Sequence, residues 1–178
     1  GMASVGHDVM ILPVRVLGKC GGLDSDIIAG MLWAGGVSSL PVVNAHPARV
    51  INMSLGGSGT CSQAYQDAIT QLTAAGVVIV ASAGNDEGLA VSTPANCPGV
   101  IAVAGLRNVG TKVGFSSIGT EVALAAPGGN CINIGANDPC LYPILSTTNS
   151  GTQSPLAPSY TDSFDFAVGT SFSAPLVA

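Results

Sequence analysis

The sequence predicts an α/β fold in which one domain, residues 1–178, forms a three-layer, doubly wound parallel sheet. Three observations predict it. Short, nearly unbroken apolar runs alternate with stretches at helical spacing, the order that a parallel sheet covered by helices requires. Apolar residues make up 47% of the chain, against ten acidic and five basic residues, so there is ample surface to bury and disorder is excluded. A length of 178 residues without an internal repeat or a linker fits a single core.

The elements follow in order. Val9 to Val16, an apolar run with one charge at Arg15, reads as a strand buried on both faces. Lys19-Cys20-Gly21-Gly22 is a turn, and Asp24 or Ser25 caps a helix that carries Ile27, Ile28, Met31 and Leu32 and closes at Gly35-Gly36. Arg49 to Leu55 is a second strand. Ser62 caps the next helix, whose face of Tyr65, Ala68, Ile69 and Leu72 keeps the helical period and ends at Gly76. Strands at Val77 to Ala81, Val100 to Ala104 and Val122 to Ala125 complete the sheet. From Gly128 to Asp165 the text is polar and rich in Gly, Ser, Thr, Asn and Pro, which reads as loops with a hairpin.

Composition also excludes several functions. Five scattered positive charges cannot line a nucleic-acid backbone, and no apolar run reaches the ~18 residues that span a bilayer. No Gly-x-Gly-x-x-Gly or Gly-x-x-x-x-Gly-Lys-Ser/Thr follows a strand, which counts against a nucleotide-binding domain. Nor is there a Gly-x-Ser-x-Gly elbow, which counts against an α/β-hydrolase. Five cysteines, none at Cys-x-x-Cys spacing or grouped with His7 or His46, make a metal site unexpected. Cys131 and Cys140 bracket a polar loop and are expected to bridge each other, which pairs Cys61 with Cys97 and leaves Cys20 over, as in an oxidising compartment.

Both ends read as cut from a longer chain. Gly1 ahead of Met2 resembles a residue left by tag removal, no basic leader follows it, and Ser171 to Ala178 stops inside an apolar segment without a helix-stop signal.

Chemistry in such sheets gathers outside the carboxyl ends of the strands. Ser54-Leu55-Gly56-Gly57 ends one strand, and Ser82-Ala83-Gly84-Asn85-Asp86 ends another. Small residues there admit an extended peptide, and Asn85 can offer an amide donor. Gly169-Thr170-Ser171 opens a helix, whose dipole suits a serine that develops negative charge on attack. Taken singly, each has a plainer role as a turn residue or a cap.

Together, VINMSLGG, VVIVASAGN and GTSFSAP resemble the consecutive blocks of the subtilisin-like serine endopeptidases, the subtilases. ILPVRVLGKCGG and Ala125-Ala126-Pro127-Gly128 are similar too, so the likeness runs from about Val9 to Ala178, most closely to extracellular bacterial members with disulfides. The resemblance implies a secreted peptidase acting on polypeptides. It makes Ser171 the nucleophile and Asn85 the oxyanion donor. Ser54, Leu55 and Gly56 become one wall of the specificity pocket, and Ser82, Ala83 and Gly84 the other. It further implies a cis Thr93-Pro94 bond and allows a structural calcium or sodium ion on carbonyls near Ala95, Cys97 and Val100; none is required for catalysis.

One departure is large. The family's aspartate and histidine blocks precede the strand at Val9 and do not occur here, and neither His7 nor His46 matches them. Without a base the serine is a weak nucleophile, so the chain alone is expected to be inactive. A peptide-binding pseudo-enzyme with the same groove is the alternative. Missing first strands would also bare an apolar edge at Val9 to Val16, from which either self-association or an unusual repacking is expected. Small pocket walls imply broad specificity, with Asp86 and Glu87 as acids that could favour a basic side chain.

Overall fold

A computed structural model of the chain describes residues 5, 6, 8–130, 142–162 and 168–178. Its centre is a parallel sheet of four strands, β1 (Val50–Met53), β2 (Val78–Ser82), β3 (Val100–Leu106) and β4 (Val122–Pro127), lying side by side in chain order. Val50 aligns with Val78, Ile79 with Val100 and Ala102 with Val122, and the last pair of strands shifts register between Ala102 and Val103. Successive residues of β2 point to opposite faces, as strand geometry dictates. Ile79 and Ala81 join a core with Tyr65, Ile69 and Leu72, while Val80 joins another with Val103, Ala126 and Ala174.

Helices α1 (Asp24–Ala34) and α2 (Gln63–Ala74) cover the first face. Helix α3 (Thr170–Val177) covers the second, so the three layers expected from the sequence are present. All four α2 positions read from the period are buried, and Ser62 Oγ accepts the Tyr65 N–H at 3.3 Å as the cap. Strands β5 (Ser146–Asn149) and β6 (Pro158–Thr161) form an antiparallel hairpin in the polar region. Cys61 and Cys97 are bridged, with Cα atoms 5.0 Å apart, and Cys20 is free and exposed. The expected Cys131–Cys140 pair lies outside the described residues.

Two expectations need correction. Residues 9–17 form no strand. Leu12, Val14 and Val16 are half-buried, and Val14 and Val16 pack on the first core, but Met10 and Ile11 are 97% and 83% exposed. An apolar run specifies burial and not a ladder partner, and Pro13 has no N–H to donate to one. Helix α1 is also capped differently. Leu23 holds the cap position with no side-chain bond, and Asp24 Oδ1 instead accepts the Tyr65 hydroxyl at 3.2 Å, which ties α2 to the first turn of α1.

Burial, and then the neighbouring Asp24 carboxylate, hold the Tyr65 hydroxyl well above the ordinary phenol range. A folded-state value raised above the unfolded one gives stability that is fully present below about pH 10 and is lost as pH rises beyond it. Urea midpoints should therefore fall as pH climbs from about 10 to about 12, and Tyr65→Phe should flatten that fall. Leu72→Ala, which empties a fully buried position between α2 and the sheet, should cost about 2–5 kcal/mol in the same titration at neutral pH.

Candidate active site

Helix α3 begins without a cap of its own. Its N-cap residue is Gly169, at φ 144°, a conformation that suits glycine, and no side chain of the segment bonds back to the first turn. The orphan amide of Thr170 is satisfied from the end of β2 instead: Asn85 Oδ1 accepts Thr170 N–H at 2.9 Å and Thr170 Oγ1–H at 3.0 Å. Fully buried Thr170 also meets the backbone of Gly84, with Oγ1 lying 3.2 Å from both its N and its O. Gly84 sits at φ 112°, and a Cβ there would run into Ser92 and Ser117. A side chain at this position would thus break the approach that fixes Asn85.

A second clamp comes from the end of β1. Pro175 lies inside α3, and its missing N–H is the one that would have bonded Ser171 O four residues back. Ser54 Oγ donates to that freed carbonyl at 2.7 Å, and Ser171 Oγ in return lies 3.4 Å from Ser54 O. The turn of Ser171 is therefore held by its own helix on one side and by β1 on the other.

Ser54 stands at the rim. Leu55, Gly56, Ser82, Gly84, Asn85 and Ser171 all line one cavity of about 800 Å³. Ala83 does not line it: the residue is fully buried in the first core, and its N–H and C=O bond Val103 O and Ser92 N. Asn85 Oδ1 is committed to Thr170, which leaves Nδ2 as the uncommitted end of a carboxamide on a residue that lines the cavity. Among the described residues, neither Asn85 Nδ2 nor the N–H of Ser171 has an acceptor. Two unsatisfied donors beside a serine hydroxyl at a helix N-terminus can stabilise an anion formed on a bound carbonyl.

Several cavity residues escaped sequence reasoning. Among them are Leu89, Asn96, which follows the Thr93–Pro94 cis bond, and Glu121, which precedes β4. None carries a local signal, because loops that fold back onto the strand ends bring them in. Of the two acids singled out beside Asn85, Asp86 lines the cavity and Glu87 does not. His46 lies on an exposed turn, its N–H bonded to Asn44 Oδ1, and is not on the cavity; His7 falls outside the described residues.

If Pro175 frees the carbonyl that Ser54 binds, the two should be energetically coupled. Ser54→Ala should cost about 1 kcal/mol in urea unfolding, and less in a Pro175→Ala background, where the helix recovers its own bond.

A family model described as the subtilase family matches residues 1–178. An extracellular protease of Xanthomonas campestris is 45% identical over the whole chain, and an extracellular basic protease of Dichelobacter nodosus is 42% identical. The chain spans only about a quarter of the length of these curated relatives, 28% and 27%. Among solved structures, a protease of Pseudoalteromonas arctica superposes with TM-score 0.84 at 47% identity, covering 94% of this chain and 48% of its own. A cold-adapted subtilisin-like serine proteinase gives TM-score 0.63 at 28% identity, covering 92% of this chain and 48% of its own.

Proposed function

The chain belongs to the subtilase family, and from that premise we propose that it is the serine-bearing part of a secreted endopeptidase. One observation carries the reading: Ser171, Asn85 and the Ser54 segment, from three distant stretches of sequence, meet on a single cavity or its rim. An extended peptide would lie along the end of β1. Ser171 Oγ would attack the scissile carbonyl, and the N–H of Ser171 with Asn85 Nδ2 would receive the developing oxyanion. Secretion is supported by relatives named extracellular and by the Cys61–Cys97 bridge.

Attack needs a base that removes the serine proton, and among the described residues no histidine stands on the cavity lining. In this reading the histidine, and the acid that orients it, belong to the family's two blocks that do not occur in this sequence. Alone, the chain would keep the anion-stabilising groups and the groove, which by themselves leave only about 10³–10⁴ over water. A structural cation belongs to the same reading. The Cys97 carbonyl accepts Val100 N–H at 3.2 Å and keeps a second lone pair, the hard oxygen that calcium or sodium takes. Such an ion would brace the loop without entering the reaction.

A fluorophosphonate probe tests the proposal. The 178-residue chain should label at Ser171 no faster than an ordinary serine, and a polypeptide that also carries the family's histidine and aspartate blocks should label rapidly and hydrolyse casein. In that active form, Asn85→Ala should lower kcat by about 10²–10³. Slow labelling in both forms would favour the peptide-binding pseudo-enzyme.

A further inference from the structure

The backbone around Asn85 is gripped by a residue that does not line the cavity. Ser117 N–H donates to Gly84 O at 3.0 Å, and Ser117 Oγ accepts Asp86 N–H at 3.1 Å. The same hydroxyl gives its one hydrogen to Asp86 Oδ2 at 3.3 Å. Bonds from a single fully buried serine therefore bracket Asn85, on the residue before it and on the residue after it. The contact continues as a row. Glu87 and Gly88 N–H donate to Phe115 O and Ser116 O, at 2.9 Å and 3.0 Å, and Ile118 N–H donates to Leu89 O at 2.9 Å.

The turn that presents Ser117 is itself tied down. Val113 N–H bonds Gly105 O at 3.0 Å and Ser116 Oγ accepts Gly105 N–H at 2.9 Å, so β3 anchors it. A cation gathers its carbonyls from outside: Lys112 Nζ donates to Val113 O at 2.9 Å, and to Gly114 O and Ser116 O at 3.1 Å each. All three N–H groups of the ammonium have a carbonyl to meet. Ser116 O serves Lys112 and Gly88 N–H at once, which couples the ammonium to the loop that carries Asn85.

We propose that Ser117 is the positioning residue of the oxyanion donor, and that Lys112 acts through it by holding the turn. The inference rests on reading Asn85 as that donor, and names what sets the place of its amide. An amide that stabilises a developing anion must be fixed beforehand, to within about 0.5 Å. Asn85 Oδ1 caps Thr170, so a slip of the backbone at 84–86 would release the cap and displace the donor together.

Amide hydrogen exchange of the 178-residue chain tests the positioning without any catalysis. In Ser117→Ala, Thr170 N–H should exchange roughly tenfold faster, while Ile69 and Leu72 N–H in α2 keep their protection. Lys112→Met, at an exposed side chain, should give the same pattern in smaller measure. If Ser117→Ala unfolds the chain, Lys112→Met decides. Unchanged protection of Thr170 in the folded variant, or a loss shared equally by Ile69 and Leu72, overturns the proposal. Kinetics of a polypeptide that also carries the family's histidine and aspartate blocks give the second readout. There Ser117→Ala should lower kcat roughly tenfold with KM unchanged, but by less than about twofold when Asn85 is already alanine. An equal loss in both backgrounds would mean that Ser117 does not act through Asn85. The catalytic reading fails separately: if that polypeptide neither labels with the fluorophosphonate nor cleaves casein, the donor has no reaction to serve, and Thr170 exchange still decides whether Ser117 places Asn85.

Discussion

The first turn of α3 cannot stand by itself, and the rest of the site follows from how it is held. The helix has eight residues, well short of the roughly 12–15 at which isolated helices become marginally stable, and contains a proline. Its N–H and C=O groups at Thr170 and Ser171 are taken up by Asn85 and Ser54, from the ends of two adjacent strands. Each bond settles two things at once. Capping Thr170 orients the Asn85 amide, and binding the Ser171 carbonyl places the serine over the end of β1. Underneath, fully buried Ala174 packs with Val80, Val103 and Ala126, so the short helix is seated on the sheet by contact as well as by hydrogen bonds.

The cavity walls are joined by a comparable economy of connections. Gly57 and Thr93 exchange backbone bonds at 2.9 Å in each direction, and the Cys61–Cys97 bridge closes the same two segments a few residues on. Asn96 adds a side-chain tie from the second segment to Gly59 in the first. The loop carrying Asp86 is held from a third direction, because Glu87 and Gly88 donate to Phe115 O and Ser116 O while Ser117 O–H bonds Asp86 itself. Walls tied from several directions keep their shape, so little reorganisation accompanies binding in the cavity they enclose.

Much of this was legible in the sequence, for identifiable reasons. The α2 face of Tyr65, Ala68, Ile69 and Leu72 is set by period alone, and tertiary structure agrees with it. Strands β2 and β3 are central and buried on both faces, so their unbroken apolar text describes their surroundings directly. Val9 to Val16 has the same kind of text, yet forms no ladder, since hydrophobicity says nothing about which neighbour is available. Asp24 illustrates a subtler miss. A local cap and a distant tyrosine compete for one carboxylate, and only the fold reveals that Tyr65 is within reach. Ser171, Asn85 and Ser54 were singled out because their three blocks together, in this order, resemble the family's, although each block alone reads as a turn or a cap. Glu121 and Asn96 were not, because a lone polar residue in a loop has no pattern until the loop is placed.

The scaffolding of α3 makes little use of the Ser171 hydroxyl. Thr170 supplies a side chain and an amide, and Ser171 supplies a main-chain carbonyl, while the Ser171 hydroxyl adds only the long 3.4 Å approach to Ser54. Architecture and reactivity are thus nearly decoupled at this residue. Exchange of that hydroxyl for a hydrogen would leave every short bond of the turn in place, so a scaffold of this shape could lose the chemistry proposed for Ser171 through a single codon and keep its form.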